Sequence, residues 1–245
     1  MNRFLFISAL VINFLSGCNN SANKPPEGIG GKDALATVNS AAFSLLGSYV
    51  GPFGDNKITL LITKVSADTV EGSSVVGGND RPFTGVVKFI NDKYNIDAKE
   101  PGDNQYDGEF NFTIDTKQPD QIMGSWKPNK PTETLKPKDY SLQRRSFVYL
   151  QDVGQYPMAS KRLLGDSDVN NLNKPDLETM RNEIFARHGY CFRKKALRDM
   201  FEDKDWYIPH TVDVKADLTE IEKKNILLIK KFEKYAAEFG DDFGR

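Results

Sequence analysis

The chain has 245 residues, which is enough for one large domain or two of ordinary size. Hydrophobic residues make up 39% and charged residues 27%, a composition typical of a polar globular protein. The formal net charge of −1 excludes the strong positive field on which general nucleic-acid binding depends. We therefore expect no nucleic-acid partner.

The first eighteen residues have the form of an export signal that ends in a lipidation site. Arg3 precedes an apolar run from Phe4 to Leu15, which is too short to span a bilayer comfortably. The sequence Leu-Ser-Gly-Cys at 15–18 resembles the bacterial lipobox. The resemblance implies removal of residues 1–17 and acylation of Cys18. The alternative is an ordinary secretory signal that contains an accidental cysteine.

Lipid on Cys18 would anchor the protein to a membrane of the bacterial cell envelope. No acidic run follows Cys18, and we expect the outer membrane with the protein facing the periplasm. Residues 18–34 are rich in Pro, Gly and small polar residues, which predicts a flexible tether. Cys191 is the only other cysteine, so the mature chain is not a disulfide scaffold.

Residues 35–156 have the period-two alternation of β-strands, separated by Gly-, Asn- and Asp-containing turns. About eight short strands are expected, which predicts an all-β antiparallel meander folded as a barrel or a sandwich. Gly47-Ser48-Tyr49 and Gly124-Ser125-Trp126 give it a loose resemblance to lipocalin-like and avidin-like barrels. The alternating apolar positions are Ile58, Leu60, Ile62, Phe83, Val87, Phe89, Phe110, Phe112, Ile114, Tyr140 and Leu142, followed by Phe147 and Tyr149.

Residues 157–240 have helical periodicity and predict a small all-α domain, followed by a tail at 241–245. Leu177, Met180 and Ile184 define one apolar helix face. In the last helix, Thr219 and Glu222 have the spacing of a capping box. The apolar face predicted for that helix comprises Ile221, Asn225, Leu228, Phe232, Tyr235 and Phe239.

The stretch RNEIFARHGYCF, residues 181–192, contains a histidine close to a cysteine and raises the question of a catalytic pair. His188 continues the buried helix face, and Gly189 is suited to end the helix. The segment offers no third group to orient the imidazole, and Cys191 lies between two aromatic residues. These features favour a partly buried histidine and an inert cysteine over a nucleophile.

The same stretch resembles the signature of the YARHG domain, with Phe185 in place of the tyrosine of the name. FEDKDWY at 201–207 and LTEIEKKNILLIKKFEKY at 218–235 resemble the later blocks of that family in the expected order. The resemblance implies an extracytoplasmic bacterial helical domain. It implies no catalytic residue, because none is known for the family.

Six polar positions of this region are candidate site residues. We interpret them as an interhelical hydrogen-bond network, because a buried amide or charge needs partners. The alternative is a polar ligand-binding pocket. The six residues are Arg181, Asn182, Glu183, His188, Glu222 and Asn225.

No cofactor or metal site is expected. Asp103, Gln105 and Asp107 partly match a calcium loop, but its twelfth position is Ile114, where a bidentate acid is needed. Neither His188 nor His210 has ligand partners at zinc-like spacing.

The favoured function is therefore that of a membrane-anchored cell-envelope lipoprotein that acts as a non-catalytic binding or scaffolding module. Its partner would be an envelope protein, a glycan or a peptide. One alternative is an enzyme, or an enzyme accessory, that acts on cell-wall material or peptides. The other is a lipocalin-like carrier, for which an open apolar cavity in the β-domain would be evidence and a filled interior would be evidence against.

Overall fold

The structure is a computed structural model that describes residues 45–239. The expected signal at 1–17, the tether at 18–34, Cys18 and the tail at 241–245 lie outside the described residues. Within this range the chain forms eight strands followed by five helices. The strands are β1 (Gly47–Phe53), β2 (Asn56–Ser66), β3 (Thr69–Val76), β4 (Asn79–Ile90), β5 (Lys93–Lys99), β6 (Gly108–Asp115), β7 (Gln118–Pro128) and β8 (Lys138–Arg144). The helices are α1 (Met158–Lys161), α2 (Asp166–Val169), α3 (Lys174–Arg187), α4 (Lys195–Phe201) and α5 (Glu220–Phe239).

The strands form a closed antiparallel barrel in which each strand pairs with its neighbours in the sequence. β1 also pairs with β8, with Tyr49 opposite Arg144, and this pairing closes the sheet. Two of the tight turns place both central residues at positive φ, at Gly77–Gly78 and at Asn91–Asp92. Turns of this kind match the twist of the strands they connect. The predicted all-β meander is confirmed, in its barrel form.

Side chains fill the interior of the barrel. Most of the predicted alternating positions point inward and are buried, and burial of each such side chain contributes roughly 1.5–3 kcal/mol. Phe89 is an exception, because 56% of its surface is exposed and its ring packs on Tyr94 outside the core. The largest core residues include Tyr49, Phe53, Ile58, Leu60, Ile62, Phe83, Ile96, Phe110, Phe112, Ile114, Trp126, Tyr140 and Leu142.

The last strand ends at Arg144, so the alternation that continues through Phe147 and Tyr149 does not extend the barrel. The ring of Phe147 stacks on His210 at 4.8 Å, and the ring of Tyr149 stacks on His188 at 4.3 Å. These aromatic residues therefore belong to the contact with the helices. The expected domain boundary between residues 156 and 157 stays a prediction, although residues 147–156 pack with the helical part.

Helices α3 and α5 enclose the main helical core. Leu177, Met180 and Ile184 of α3 are buried, as predicted, and they belong to one hydrophobic cluster with Ile226 and Ile229 of α5. A second cluster joins Phe192, Phe201 and Tyr207. Tyr207 is fully buried there, which makes it a core residue.

The apolar face predicted for the last helix is wrong toward its C-terminus. Tyr235 and Phe239 are 44% and 62% exposed, and they pack on each other. Hydrogen bonds made by Glu222 and Asn225 set the rotation of the helix, so that these two polar residues face inward. The buried positions of α5 are Glu222, Asn225, Ile226, Ile229 and Ala236.

The helical part docks on one end of the barrel, at the turns after β1 and β3. The backbone amide of Lys57 donates to Glu202 Oε2 at 2.9 Å, and Arg198 Nε donates to Asn56 Oδ1 at 2.8 Å. Arg193 Nε donates to the Gly78 carbonyl at 3.1 Å. A side chain at Gly78 would collide with Arg193, since a Cβ there would lie 2.1 Å from that residue. The segment around α4 thus covers this barrel end.

Candidate functional site

Helix α3 positions the stretch at 181–192. The Asn173 side chain caps its N-terminus by accepting from the Asp176 amide at 2.9 Å, and Pro175 occupies the first turn. The helix ends at Arg187, and Gly189 follows with φ of +70°. A Cβ at Gly189 would lie 2.8 Å from the Phe147 ring, so the turn requires glycine both for its conformation and for its space.

His188 and Glu222 are in direct contact in the interior. The imidazole Nε2 lies 2.8 Å from Glu222 Oε2, and both side chains are nearly fully buried. A carboxylate can only accept, so Nε2 carries the hydrogen of this bond. The bond joins the C-terminal end of α3 to the first turn of α5.

Glu222 also accepts from two other parts of the chain. The amide and the hydroxyl of Thr219 donate to Oε2 at 2.9 and 3.0 Å, which completes the predicted capping box. The Tyr149 hydroxyl donates to Oε1 at 2.9 Å. Burial alone raises the pKa of Glu222, but the hydrogen bonds from His188, Ser160 and Thr219 outweigh it and lower the pKa to about 2.

Glu183 and Arg187 form a second buried pair, 2.8 Å apart, one turn before His188. Glu183 accepts from the amides of Gln155 and Tyr156 at 2.6 and 2.8 Å. Arg187 Nε donates to the Val153 carbonyl at 2.9 Å. The pair thus binds the chain just before α1 to the face of α3, and burial lowers the pKa of Arg187 from its usual value.

Ser160 connects the two pairs. Its hydroxyl accepts from Arg187 at 3.0 Å and also hydrogen-bonds Glu222. The structure therefore brings three of the six candidate residues, Glu183, His188 and Glu222, into one connected set. The sequence analysis did not identify Tyr149, Ser160 or Arg187 as members of this set.

The other three candidates lie outside this set. Asn225 bonds to the backbone around α1, accepting from Leu164 and donating to the carbonyls of Ala159 and Arg162, at 2.7–2.9 Å. Arg181 pairs with Glu233 at 2.7 Å. Asn182 donates to the Glu178 carbonyl within its own helix.

Cys191 lies apart from His188 and faces the barrel. Its sulfur accepts from the Gly78 amide at 3.1 Å, across the junction between barrel and helices. Burial raises the pKa of the thiol to about 11, and the Gly78 amide only partly opposes this effect. The thiol therefore remains protonated near neutral pH, which is unsuited to nucleophilic chemistry.

A half-open groove of about 760 Å³ lies on the outer side of α3. We call it the α3 groove. Its apolar wall includes Phe185, Tyr190, Leu197 and Val212. Its charged lining is more basic than acidic, with Arg181, Arg193, Lys194 and Lys215 against Glu178 and Asp213. Phe185, at the position of the name-giving tyrosine, therefore faces a space that a ligand could enter.

Residues 154–234 match the family model of the YARHG domain. The helical unit is a YARHG domain. The match covers about a third of the chain and does not include the barrel. No curated protein and no solved structure matches the chain.

The YARHG domain is typical of extracytoplasmic proteins and suggests a non-catalytic binding module. Between Leu45 and Phe239, none of the helices combines the length and hydrophobicity of a bilayer-spanning helix. In the same range, no three His, Cys, Asp or Glu side chains gather as metal ligands. Asp107, from the partial calcium-loop pattern, pairs with Arg81 at 3.1 Å.

The lowered pKa of Glu222 predicts how the YARHG domain responds to acid. Because the folded pKa lies near 2 and the ordinary value is 4.5, the carboxylate stabilises the fold above about pH 4.5. This contribution is lost as the pH falls from 4.5 toward 2. Glu222→Gln should destabilise the fold by about 2–4 kcal/mol at pH 7 and flatten the dependence of unfolding free energy on pH in this window.

Urea unfolding at pH values between 2 and 7 measures this dependence. Glu238→Gln, at an exposed position of the same helix, is the matched control and should keep the wild-type acid profile. A Glu222→Gln variant whose profile parallels that of the wild type would contradict the assignment.

Proposed function

We propose that this protein is a membrane-anchored lipoprotein of the bacterial cell envelope whose YARHG domain binds peptides without catalysis. The observation that carries the proposal is the α3 groove, a concave surface of ligand size beside a rigid hydrogen-bonded framework. The barrel would serve as the spacer and docking partner that presents this groove.

The internal bonds of the signature residues support a binding role over an enzymatic one. Glu183, Arg187, His188 and Glu222 bond to one another, to Ser160 and to nearby backbone. A general acid or base must reach a substrate, and these groups are enclosed. Cys191 is enclosed as well, with its thiol protonated. The enzyme alternative therefore finds no support in these residues.

The composition of the α3 groove favours a peptide that carries carboxylates. Phe185, Tyr190 and Leu197 offer an apolar surface for side chains, and Lys194 and Lys215 provide exposed ammonium groups at the rim. Envelope peptides, including the stem peptides of the cell wall, combine small apolar side chains with free carboxylates. A glycan without such a peptide offers neither feature.

The filled interior of the barrel disfavours the lipocalin-like carrier. Phe83, Phe110, Phe112 and Ile114 occupy the space that a deeply bound ligand would need. A ligand of this protein is therefore expected at the surface of the barrel or on the YARHG domain.

Cys18→Ala should prevent acylation and move the protein from the membrane fraction to the soluble fraction. The reason is that, in this account, the acyl chains on Cys18 provide the membrane affinity. Membrane fractionation with mass spectrometry of the N-terminal peptide measures both effects, and Cys191→Ala is the control. A wild-type peptide without lipid, or a Cys18→Ala variant that stays in the membrane, would end the lipoprotein proposal.

Stem peptides should bind to residues 19–245, a form of the chain without the signal and Cys18, and Val212→Asp should weaken binding by at least about tenfold. The new carboxylate would lie in the groove wall and repel the carboxylates of the peptide. Isothermal titration calorimetry with synthetic stem peptides measures this, and Val86→Asp, at an exposed barrel position, is the matched control. Absence of peptide binding, or equal affinity in Val212→Asp and wild type, would refute the assignment of the groove.

A further inference from the structure

We propose that the end of the barrel covered by the YARHG domain is a second binding site, specific for a small anion with an apolar body. The site is a pocket of about 340 Å³, which we call the mouth pocket. Phe53, Phe110 and Trp126 line its wall, and Lys138, Arg193 and Arg198 contribute positive charge. The argument for this site does not rest on peptide binding in the α3 groove or on the lipid anchor.

The apolar part of the mouth pocket is a rigid cluster of aromatic rings. The centroid of Phe53 lies 5.6 Å from that of Trp126 and 5.8 Å from that of Tyr140. Phe110 packs edge-on against Tyr140 at 6.1 Å. Rings held by the closed sheet need no rearrangement to contact an apolar ligand, and this lowers the cost of binding.

Lys138 is the group that defines the charge of the ligand. Its ammonium lies 4.6 Å from the centre of the Phe53 ring and 5.7 Å from that of Trp126. Among residues 45–239 it forms no hydrogen bond or ion pair with a carboxylate. Burial lowers the pKa of Lys138, although the charge of Asp55 opposes this effect. A negatively charged ligand beside this ammonium would offset the energetic cost of its partial burial.

The floor of the mouth pocket is polar but has its partners already. Glu100 is 2% exposed and accepts from the Gly108 amide at 2.9 Å and from the Ser74 hydroxyl. Burial raises the pKa of Glu100, although the hydrogen bonds from Ser74 and Gly108 oppose this effect. Arg81 pairs with Asp107 at 3.1 Å. We therefore expect the negative charge of a ligand to lie beside Lys138 and away from the floor of the pocket.

The roof of the pocket comes from the YARHG domain. Arg193 and Arg198 are held by the Gly78 carbonyl and the Asn56 side chain, at 3.1 and 2.8 Å. Their guanidinium groups add positive charge above the aromatic wall. A bound anion would therefore touch both parts of the chain and stabilise their docking.

The size of the mouth pocket limits the ligand to a short body. A pocket near 300 Å³ is at the lower end of the range for small-molecule sites. The chemistry fits an aromatic or short-chain acid in which a carboxylate or sulfonate meets Lys138 and the apolar body lies on Phe53 and Trp126. A neutral molecule of the same shape would leave Lys138 without a partner.

The fluorescent anion 8-anilinonaphthalene-1-sulfonate tests the proposal on residues 19–245, a form of the chain without the signal and Cys18. We expect saturable fluorescence enhancement at one site, displacement by octanoate and no comparable displacement by octanol. Lys138→Met should weaken binding about tenfold, as expected for loss of a charge-assisted contact. Lys138→Arg, which keeps the charge, should bind close to wild type. Lys136→Met, at an exposed position two residues before β8, is the matched control and should be unchanged.

Three results would overturn the site. The first is no binding of the dye by folded wild-type protein. The second is equal binding by Lys138→Met and wild type, or equal displacement by octanol and octanoate. The third is loss of dye binding in Val212→Asp, because the α3 groove would then be the dye site. Thermal unfolding of each variant establishes that it is folded. If Lys138→Met is destabilised, binding is compared between Lys138→Gln and Lys138→Arg.

Discussion

The buried carboxylate of Glu222 is the contact on which the C-terminal half of the molecule depends. It is fully buried, and it accepts from His188, Thr219, Tyr149 and Ser160. These donors come from the end of α3, from the start of α5, from the chain that leaves the barrel, and from α1. A charge in this position would be costly without partners, so the elements that supply the donors must remain together. The pairing of Glu183 with Arg187 extends the same constraint by one helical turn.

This arrangement explains how a barrel and a helical domain become one unit. The segment after β8 cannot separate from the helices without losing the stacking of Phe147 and Tyr149 on the two histidines. At the far side, Arg193 and Arg198 hold the barrel turns. Arg193 lines both the α3 groove and the mouth pocket, so both candidate sites depend on the same docking. Their geometry follows from the framework, which itself has no group free to perform chemistry.

Local sequence pattern was sufficient for the strands, the turns and the helices. Alternation at Ile58, Leu60 and Ile62 predicted an inward strand face, and paired turn residues at Gly77–Gly78 predicted a hairpin. Closure of the barrel was not predictable in the same way, because the pairing of β1 with β8 joins residues about a hundred positions apart. The same alternation gave the wrong role to Phe147 and Tyr149, which meet histidines and not the barrel core.

The candidate site was predictable by residue type but not by partner. Buried His, Glu and Asn on helix faces require hydrogen bonds, and this requirement singled out His188, Glu222 and Asn225. The partners come from distant parts of the chain, such as Tyr149 and Ser160, and no local spacing reveals them. Asn225 illustrates the limit, since it bonds to the backbone around α1 and not to the histidine. The two pockets exist only in the folded chain, and no local sequence pattern predicted their positions or their lining residues.

The most direct test of this account is the coupling energy between His188 and Glu222. Chemical unfolding of the mature wild-type chain, His188→Ala, Glu222→Gln and the double variant forms a complete cycle at pH 7. The account predicts that each single change destabilises the protein by about 2–4 kcal/mol. It also predicts that the double variant loses less than the sum by more than about 1 kcal/mol. Additive losses, or single variants as stable as the wild type, would contradict the claim that this buried pair holds the domain together.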